Sequence, residues 1–295
     1  MKQTALIVLL GCSTFVQAEG EVHYLNSDFN GMDRVDVVSV DGEFGQTLRG
    51  ILKSEAGKEY SIPDVCEPEG GGAELVDTYT VKGKDNYFLF TCAWPVQHAG
   101  IGLNGIQYET FVYAGKALSS TVKNRKISRI LSGYEGSLEG GASSYAWYVQ
   151  RVIASEKILE LEGGIQADSV MLVHRVVLNR LKGEDYHAIK NYLSAERVRQ
   201  LFQDFPISKS TMVAYNDIGY ALGLSGDGGL AYEVLSRVEK FVPDRVVLKL
   251  NIADVLWVSD KVKSKAYYEE YVELMKSHGK EKLIPAGALE RSISD

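Results

Sequence analysis

From Val22 to about Leu131 the apolar residues follow a two-residue rhythm, the period at which successive side chains of a strand point to opposite faces. "RVDVVSVDGEFGQTLRGIL" alternates through Val35 and Val37, then Val38 and Val40, and reaches Asp41-Gly42, a dipeptide favoured in tight turns. "SEAGKEYSIP" supplies a further glycine turn before Tyr60 and Ile62. In "ELVDTYTVK", Leu75, Asp77, Tyr79 and Val81 share one face and Val76, Thr78 and Thr80 the other. "NYFLFTCAW" and "QYETFVYAG" are rich in the aromatic and β-branched side chains that pack well on a pleated surface. The frequent turns between these runs predict an α+β chain whose residues 19–132 form an antiparallel β-sandwich or open barrel.

Residues 100–105, "GIGLNG", satisfy the G-x-G-x-x-G pattern of a dinucleotide-binding loop. Such a loop needs a helix to begin at the glycines, so that its first amides meet the pyrophosphate, and an acidic residue about 20 positions later. Here "IQYETFVYAG" follows, alternating as a strand, and the basic "TVKNRK" lies where the acid should be. Asn104-Gly105 is instead a preferred central pair of a two-residue hairpin turn, which would set Leu103 opposite Ile106 and Ile101 opposite Tyr108. The exposed tip, with His98 and Asn104, is then a contact surface for a partner, and no cofactor is expected.

After the Gly/Ser-rich "GYEGSLEGGASS", residues 133–144, the period changes. Residues 133–166 read as a linker in which "YAWYVQRVIA" has the makings of a short helix and "ILELEGG" those of a short strand or extended link. From Asp168 the spacing is helical: Val170, Val173, Val177 and Leu181 lie near one face, extended by Met171, Leu172 and Val176, and the helix ends near Gly183. A second helix over about 186–203 carries Ile189, Leu193, Val198, Leu201 and Phe202, and Pro206 stops it. Residues 167–282 are thus a helical domain, and 283–295 a tail.

Within that domain Tyr215, Ile218, Gly219, Leu222, Ala231, Leu235, Val238 and Pro243 fall at the eight spacings that mark a tetratricopeptide repeat, and residues 212–245 resemble one. The segment after it resembles a degenerate copy, with Leu250-Asn251 matching Tyr215-Asn216 and Ala266-Tyr267 matching Ala231-Tyr232. Asp254 stands at a small-residue position and Glu270 at an apolar one, departures that suit a terminal repeat facing solvent. With the helices at 168–204, the resemblance implies a short solenoid whose first helices line a concave binding surface. It places Asn216, Tyr220 and Asn251 on that surface; capping or packing between repeats is their alternative role.

Composition narrows the setting. The chain has 295 residues, 45% hydrophobic and 24% charged, an ordinary globular balance. "MKQTALIVLLGCSTFVQA" has one lysine, an apolar run and a small-residue ending, which reads as a secretory signal over residues 1–18. Leu9-Leu10-Gly11-Cys12 also fits a lipobox, so a lipid anchor on Cys12 in a membrane-anchored lipoprotein is the alternative to a periplasmic or secreted form. No later segment has the run of apolar residues a membrane span requires. Cys66 and Cys92 are then left in a compartment that permits disulfides, and pairing is expected over the alternative of a Cys92 thiol served by His98. Residues 19–80 hold 14 acidic and 4 basic side chains, a net charge of −10 suited to solubility or to steering a basic partner. The short basic run "KNRKISR" makes no nucleic-acid surface.

Catalytic signatures are missing from the string. None of the five histidines has a zinc-ligand spacing, "GSLEGG" only approximates a nucleophile elbow, and no phosphate loop of the Walker type occurs. The acidic loop "CEPEGGGAE" does not follow a calcium-loop pattern, so no metal or catalytic residue is assigned. These features together suggest an exported, non-enzymatic protein of the bacterial envelope that binds another protein or peptide. Neutralising a toxin in the periplasm, as an immunity protein, is one such role. A scaffold or adaptor in envelope assembly is a second, and an envelope hydrolase with its site in the β domain is the rival from another class.

Overall fold

A computed structural model describes residues 20–43, 45–68 and 72–294. The expected signal segment with Cys12 lies outside the described residues, as does the middle of the acidic loop, residues 69–71. The protein is α+β and divides between Ser144 and Tyr145 into two compact units.

The first unit is two antiparallel sheets facing one another. Strands β1 (Glu21–Phe29), β2 (Met32–Gly42), β3 (Gly45–Lys53) and β4 (Glu59–Cys66) pair in sequence order. The other sheet contains β5 (Glu74–Lys82), β6 (Asn86–His98), β7 (Leu103–Gly115), β8 (Val122–Lys123), β9 (Gly133–Ser137) and β10 (Ser143–Ser144), in the order β10-β9-β7-β6-β5 with β8 also on β7. A short helix, α1 (Arg125–Leu131), joins β8 to β9. Phe29, Val35, Leu52 and Ile62 of one sheet meet Phe88, Phe90, Trp94, Phe111 and Tyr113 of the other in a single apolar core.

Two links close the layers. Cys66 of β4 and Cys92 of β6 form a buried disulfide with a Cα separation of 6.2 Å, so Cys92 offers no free thiol to His98. Elsewhere Asn26 of β1 binds both backbone groups of Thr80 in β5, donating Nδ2 to the carbonyl at 3.1 Å and accepting the amide at 2.8 Å. Ser27 adds a hydroxyl contact to Thr80 at 2.6 Å.

The strands differ from expectation at their ends. The β6–β7 hairpin exists, but its reversal is a 3₁₀ turn at Ala99–Ile101 closed by Gly102 in a left-handed conformation, with His98 opposite Leu103. Asn104-Gly105 instead pairs with Gln97 and Val96 inside the ladder, because both strands run 13 residues and keep pairing almost to the tip. Gly105 is needed for another reason: a Cβ there would lie 2.3 Å from the carbonyl oxygen of Glu135 and 2.6 Å from the hydroxyl of Tyr134. That close approach is β9 pairing with the outer edge of β7, so residues 133–144, expected as a linker, complete the sheet. Asp41-Gly42 likewise stays in the β2–β3 ladder, opposite Gln46 and Gly45, and the reversal follows it.

The second unit is helical: α2 (Arg151–Glu162), α3 (Val170–Lys182), α4 (Tyr186–Tyr192), α5 (Ala195–Asp204), α6 (Met212–Leu224), α7 (Gly228–Phe241), α8 (Val246–Leu256), α9 (Lys261–Ser277) and α10 (Ala286–Ile293). Side chains of Ser169, Asp185, Ser194, Asp227 and Asp260 cap the first turns of α3, α4, α5, α7 and α9. The Ser194 cap starts a new helix where one continuous helix over 186–203 was expected. "ILELEGG" belongs to α2 and not to a strand or link: Ile153, Ala154, Lys157 and Ile158 turn inward at helical spacing, while Leu159 stays 44% exposed. The expected tail forms α10, whose Ala288 packs with Tyr268, Tyr271 and Met275 of α9. Among the described residues no helix is long and apolar enough to cross a membrane.

One buried charge organises the start of this unit. The Asp168 carboxylate, just before α3, accepts from Lys157 Nζ of α2 at 2.8 Å, Tyr148 at 2.8 Å, Tyr192 of α4 at 2.7 Å and Arg197 of α5 at 3.2 Å. Burial alone would raise its pKa, but the bonds from Lys157 and the two tyrosines outweigh that effect and hold it below the ordinary value.

Two stability measurements check this description. Replacing both cysteines by alanine should cost about 3 to 4 kcal/mol in chemical denaturation, from the loop-closure entropy restored to the unfolded chain. Asp168→Asn should cost about 3 to 5 kcal/mol at neutral pH, because it strands the Lys157 ammonium in the interior. Since the folded pKa of Asp168 is depressed, its contribution is complete above the unfolded value of about 4 and is lost as pH falls through the folded value. The deficit of the variant should therefore shrink in acid.

Candidate functional site: a groove on the helical unit

Helix α6 is packed on several sides at once. Tyr215, Ile218, Ala221 and Leu222 are all fully buried, and α3, α7 and α8 each lie against the helix. Two glycines make this approach possible: a Cβ on Gly219 would stand 2.7 Å from Leu235 of α7, and one on Gly223 would stand 2.6 Å from Val255 of α8. The hydroxyl of Tyr215 donates to the carbonyls of Leu201, at 2.9 Å, and Phe205, at 2.6 Å, fixing the end of α5 against α6.

Asn216 and Asn251 occupy equivalent turns of α6 and α8, 35 residues apart, and the structure brings them together. Asn251 Nδ2 donates to Asn216 Oδ1 at 3.2 Å, and Asn216 Nδ2 donates to Asp217 Oδ1 at 3.0 Å. Asp217 then pairs with His174 of α3 at 2.8 Å. Burial tends to raise the Asp217 pKa, but the bonds from His174 and Asn216 prevail and lower it. With exposures of 1% and 7%, the two asparagines join α6 to α8 from inside and do not face a groove. An amide buried between helices must find a partner, and here Asn216 accepts from Asn251 while Asp217 accepts from Asn216.

Tyr220, one turn beyond Asn216, is only half-buried and lines a groove of ≈ 530 Å³. Leu224, Val255 and Val258 make its apolar surface, and Tyr232 of α7 closes one side. Gly226 in the α6–α7 turn and Gly228 and Gly229 at the start of α7 contribute backbone alone, which leaves the wall low. Leu224 is 42% and Val258 91% exposed, so the groove presents unburied apolar side chains. Its one carboxylate, Asp254, is engaged by the Tyr268 hydroxyl and by Arg291 of α10 at 3.3 Å. The second departure from the repeat pattern has a partner too: Glu270 pairs with the buried Lys249 at 2.6 Å. Such a surface can hold apolar or aromatic side chains and orient few polar ones.

His98 and Asn104 lie in the other unit, both exposed at the end of the β6–β7 hairpin. Among the described residues no three His, Cys, Asp or Glu side chains gather as a metal site. Of the side chains lining this groove, the sequence singled out Tyr220 as a contact residue but not Leu224, Tyr232, Val255 or Val258. The signal for Leu224, Val255 and Val258 was "LGLSGDGG" and "VLWVSD", where apolar residues run to the ends of helices beside glycine-rich or polar turns; Tyr232, inside α7, had no such signal. No protein-family model matches this chain, and no curated protein matches it.

Asn251→Ala should cost about 1 to 3 kcal/mol by leaving the buried Asn216 carbonyl without its donor. Thermal or chemical denaturation reads this loss. A stable variant would remove Asn251 from the framework and return it to the surface role.

Proposed function

We propose that the protein is exported and works by binding another protein, with the groove at the ends of α6 and α8 as its contact surface. The observation that carries this reading is the pair of exposed apolar side chains, Leu224 and Val258, gathered with the half-buried Val255 beside Tyr220 and Tyr232. Exposed apolar side chains that share a groove mark interaction surfaces more than scattered ones do. A partner would anchor an aromatic or branched aliphatic side chain there, with the glycine turn allowing its backbone to approach.

The helical hairpins support a tetratricopeptide-like reading of α6–α9. Asn216 and Asn251, at an offset of 35, keep equivalent buried places, and α10 packs on α9 at the end of the stack. Export is supported by the buried disulfide, which fits folding in an oxidising compartment such as a periplasm. Within this class we favour an immunity role, in which the protein covers the working surface of a toxin that reaches the periplasm. The acidic first part of the chain would speed capture of a basic partner.

Affinity purification from envelope extracts, with wild type beside Leu224→Asp/Val258→Asp, tests the reading. Both side chains are exposed, so the fold should survive the substitutions. Wild type should retain a stoichiometric partner and the variant should lose it. Recovery of no partner by wild type, or equal recovery by both, would contradict the assignment.

A further inference from the structure

The edge strands β1 and β5 belong to different sheets and meet where Asn26 and Ser27 hold Thr80. On the N-terminal side of that stitch in both strands lies a cleft of ≈ 440 Å³. Val37 and Leu48, from the inner face of the first sheet, form its apolar floor, and β5 presents consecutive residues from Glu74 to Thr78 along one wall. Consecutive lining means that the strand shows the cleft its backbone edge. Among the described residues the sheet order ends at β5, so no strand pairs with that edge.

The rim is anionic. Glu21 and Glu74 are exposed and Asp77 is half-buried; His23 lies 3.3 Å from Glu21. The opposite face of the first sheet differs, because its Arg34, Asp36, Lys53 and Glu59 neutralise one another in a ladder of ion pairs. The edge of β5 is also interrupted: the register shifts between Leu75 and Asp77, leaving Val76 as a bulge that is 41% exposed. A bulge of this kind blocks a long, regular strand from a second copy, while a short segment can still run beside it.

We infer that this cleft receives a short extended segment of a partner protein, laid along β5 with lysine or arginine side chains at the exposed Glu21 and Glu74. Its backbone would run along β5 beside the Val76 bulge, where no strand is paired, while the Thr78 amide stays bonded to Asp77 Oδ1 at 2.9 Å, and its alternate side chains would divide between the apolar floor and the carboxylate rim, as in other strand-addition complexes. Charge complementarity selects a basic segment and rejects an acidic one. This rests on the reading of the protein as a binding protein and adds a second surface, in the β unit, with its own chemistry.

The test titrates the purified protein with a ten-residue peptide of alternating lysine and valine, and with its glutamate–valine counterpart, following backbone amide signals. The lysine peptide should shift the amides of Leu75 to Thr78 and of Glu21 to Tyr24, and its binding should weaken as salt rises. In Glu21→Gln/Glu74→Gln its affinity should fall about tenfold. Equal binding of both peptides, shifts confined to the opposite face at Arg49 and Ile51, unchanged affinity in the variant, or no shift at all would overturn the inference. If a partner is recovered from the envelope, its loss with the double glutamine variant supports the cleft. Full recovery by that variant overturns the cleft and leaves the groove reading intact.

Discussion

The closeness of α6 to its neighbours is the constraint on which the helical unit depends. A helix that must touch α3, α7 and α8 together cannot carry large side chains all round, and at Gly219 and Gly223 no side chain fits. With those contacts made, Tyr215 reaches the carbonyls that end α5, and Asn216 reaches Asn251. The same geometry opens the groove. Gly223 draws Val255 inward, and the bare glycine turn after Leu224 leaves the space in front of Tyr220 and Tyr232 unfilled.

The β unit is held by different means. Its sheets are pinned by the Cys66–Cys92 disulfide in one place and by the amide of Asn26 on the edge of β5 in another. An asparagine that satisfies a strand's backbone donor and acceptor together does locally what a neighbouring strand would do. It stops the two edges from separating at Thr80 and leaves the cleft beyond it open. Acidic side chains at that opening also discourage edge-to-edge association, which an apolar rim would invite.

The architecture was largely legible because both periods were clean where one face is buried. Alternation marked β5 and β7, aromatic and β-branched content marked β6, which is buried on both faces, and helical spacing marked α6 and α7. Legibility failed where a polar residue sits on an inward face. Lys157 hides the helical period of α2, since its neutralising partner Asp168 is 11 residues away and cannot be recognised locally. It failed again where glycine serves close approach: Gly105 looks like a turn residue, and only the pairing of β9 shows why it is glycine. Asn216 and Asn251 were found as a matched pair, but their inward direction depends on how closely α6 and α8 pack.

Binding through the groove is the central claim, and site-specific photocrosslinking in exporting cells tests it most directly. A photoreactive side chain placed at Val258, in the groove, should give one discrete heavier adduct. The same group at Leu289, exposed on α10 and outside the groove's lining, should give none. No adduct from position 258, or the same adducts from both positions, would contradict the account.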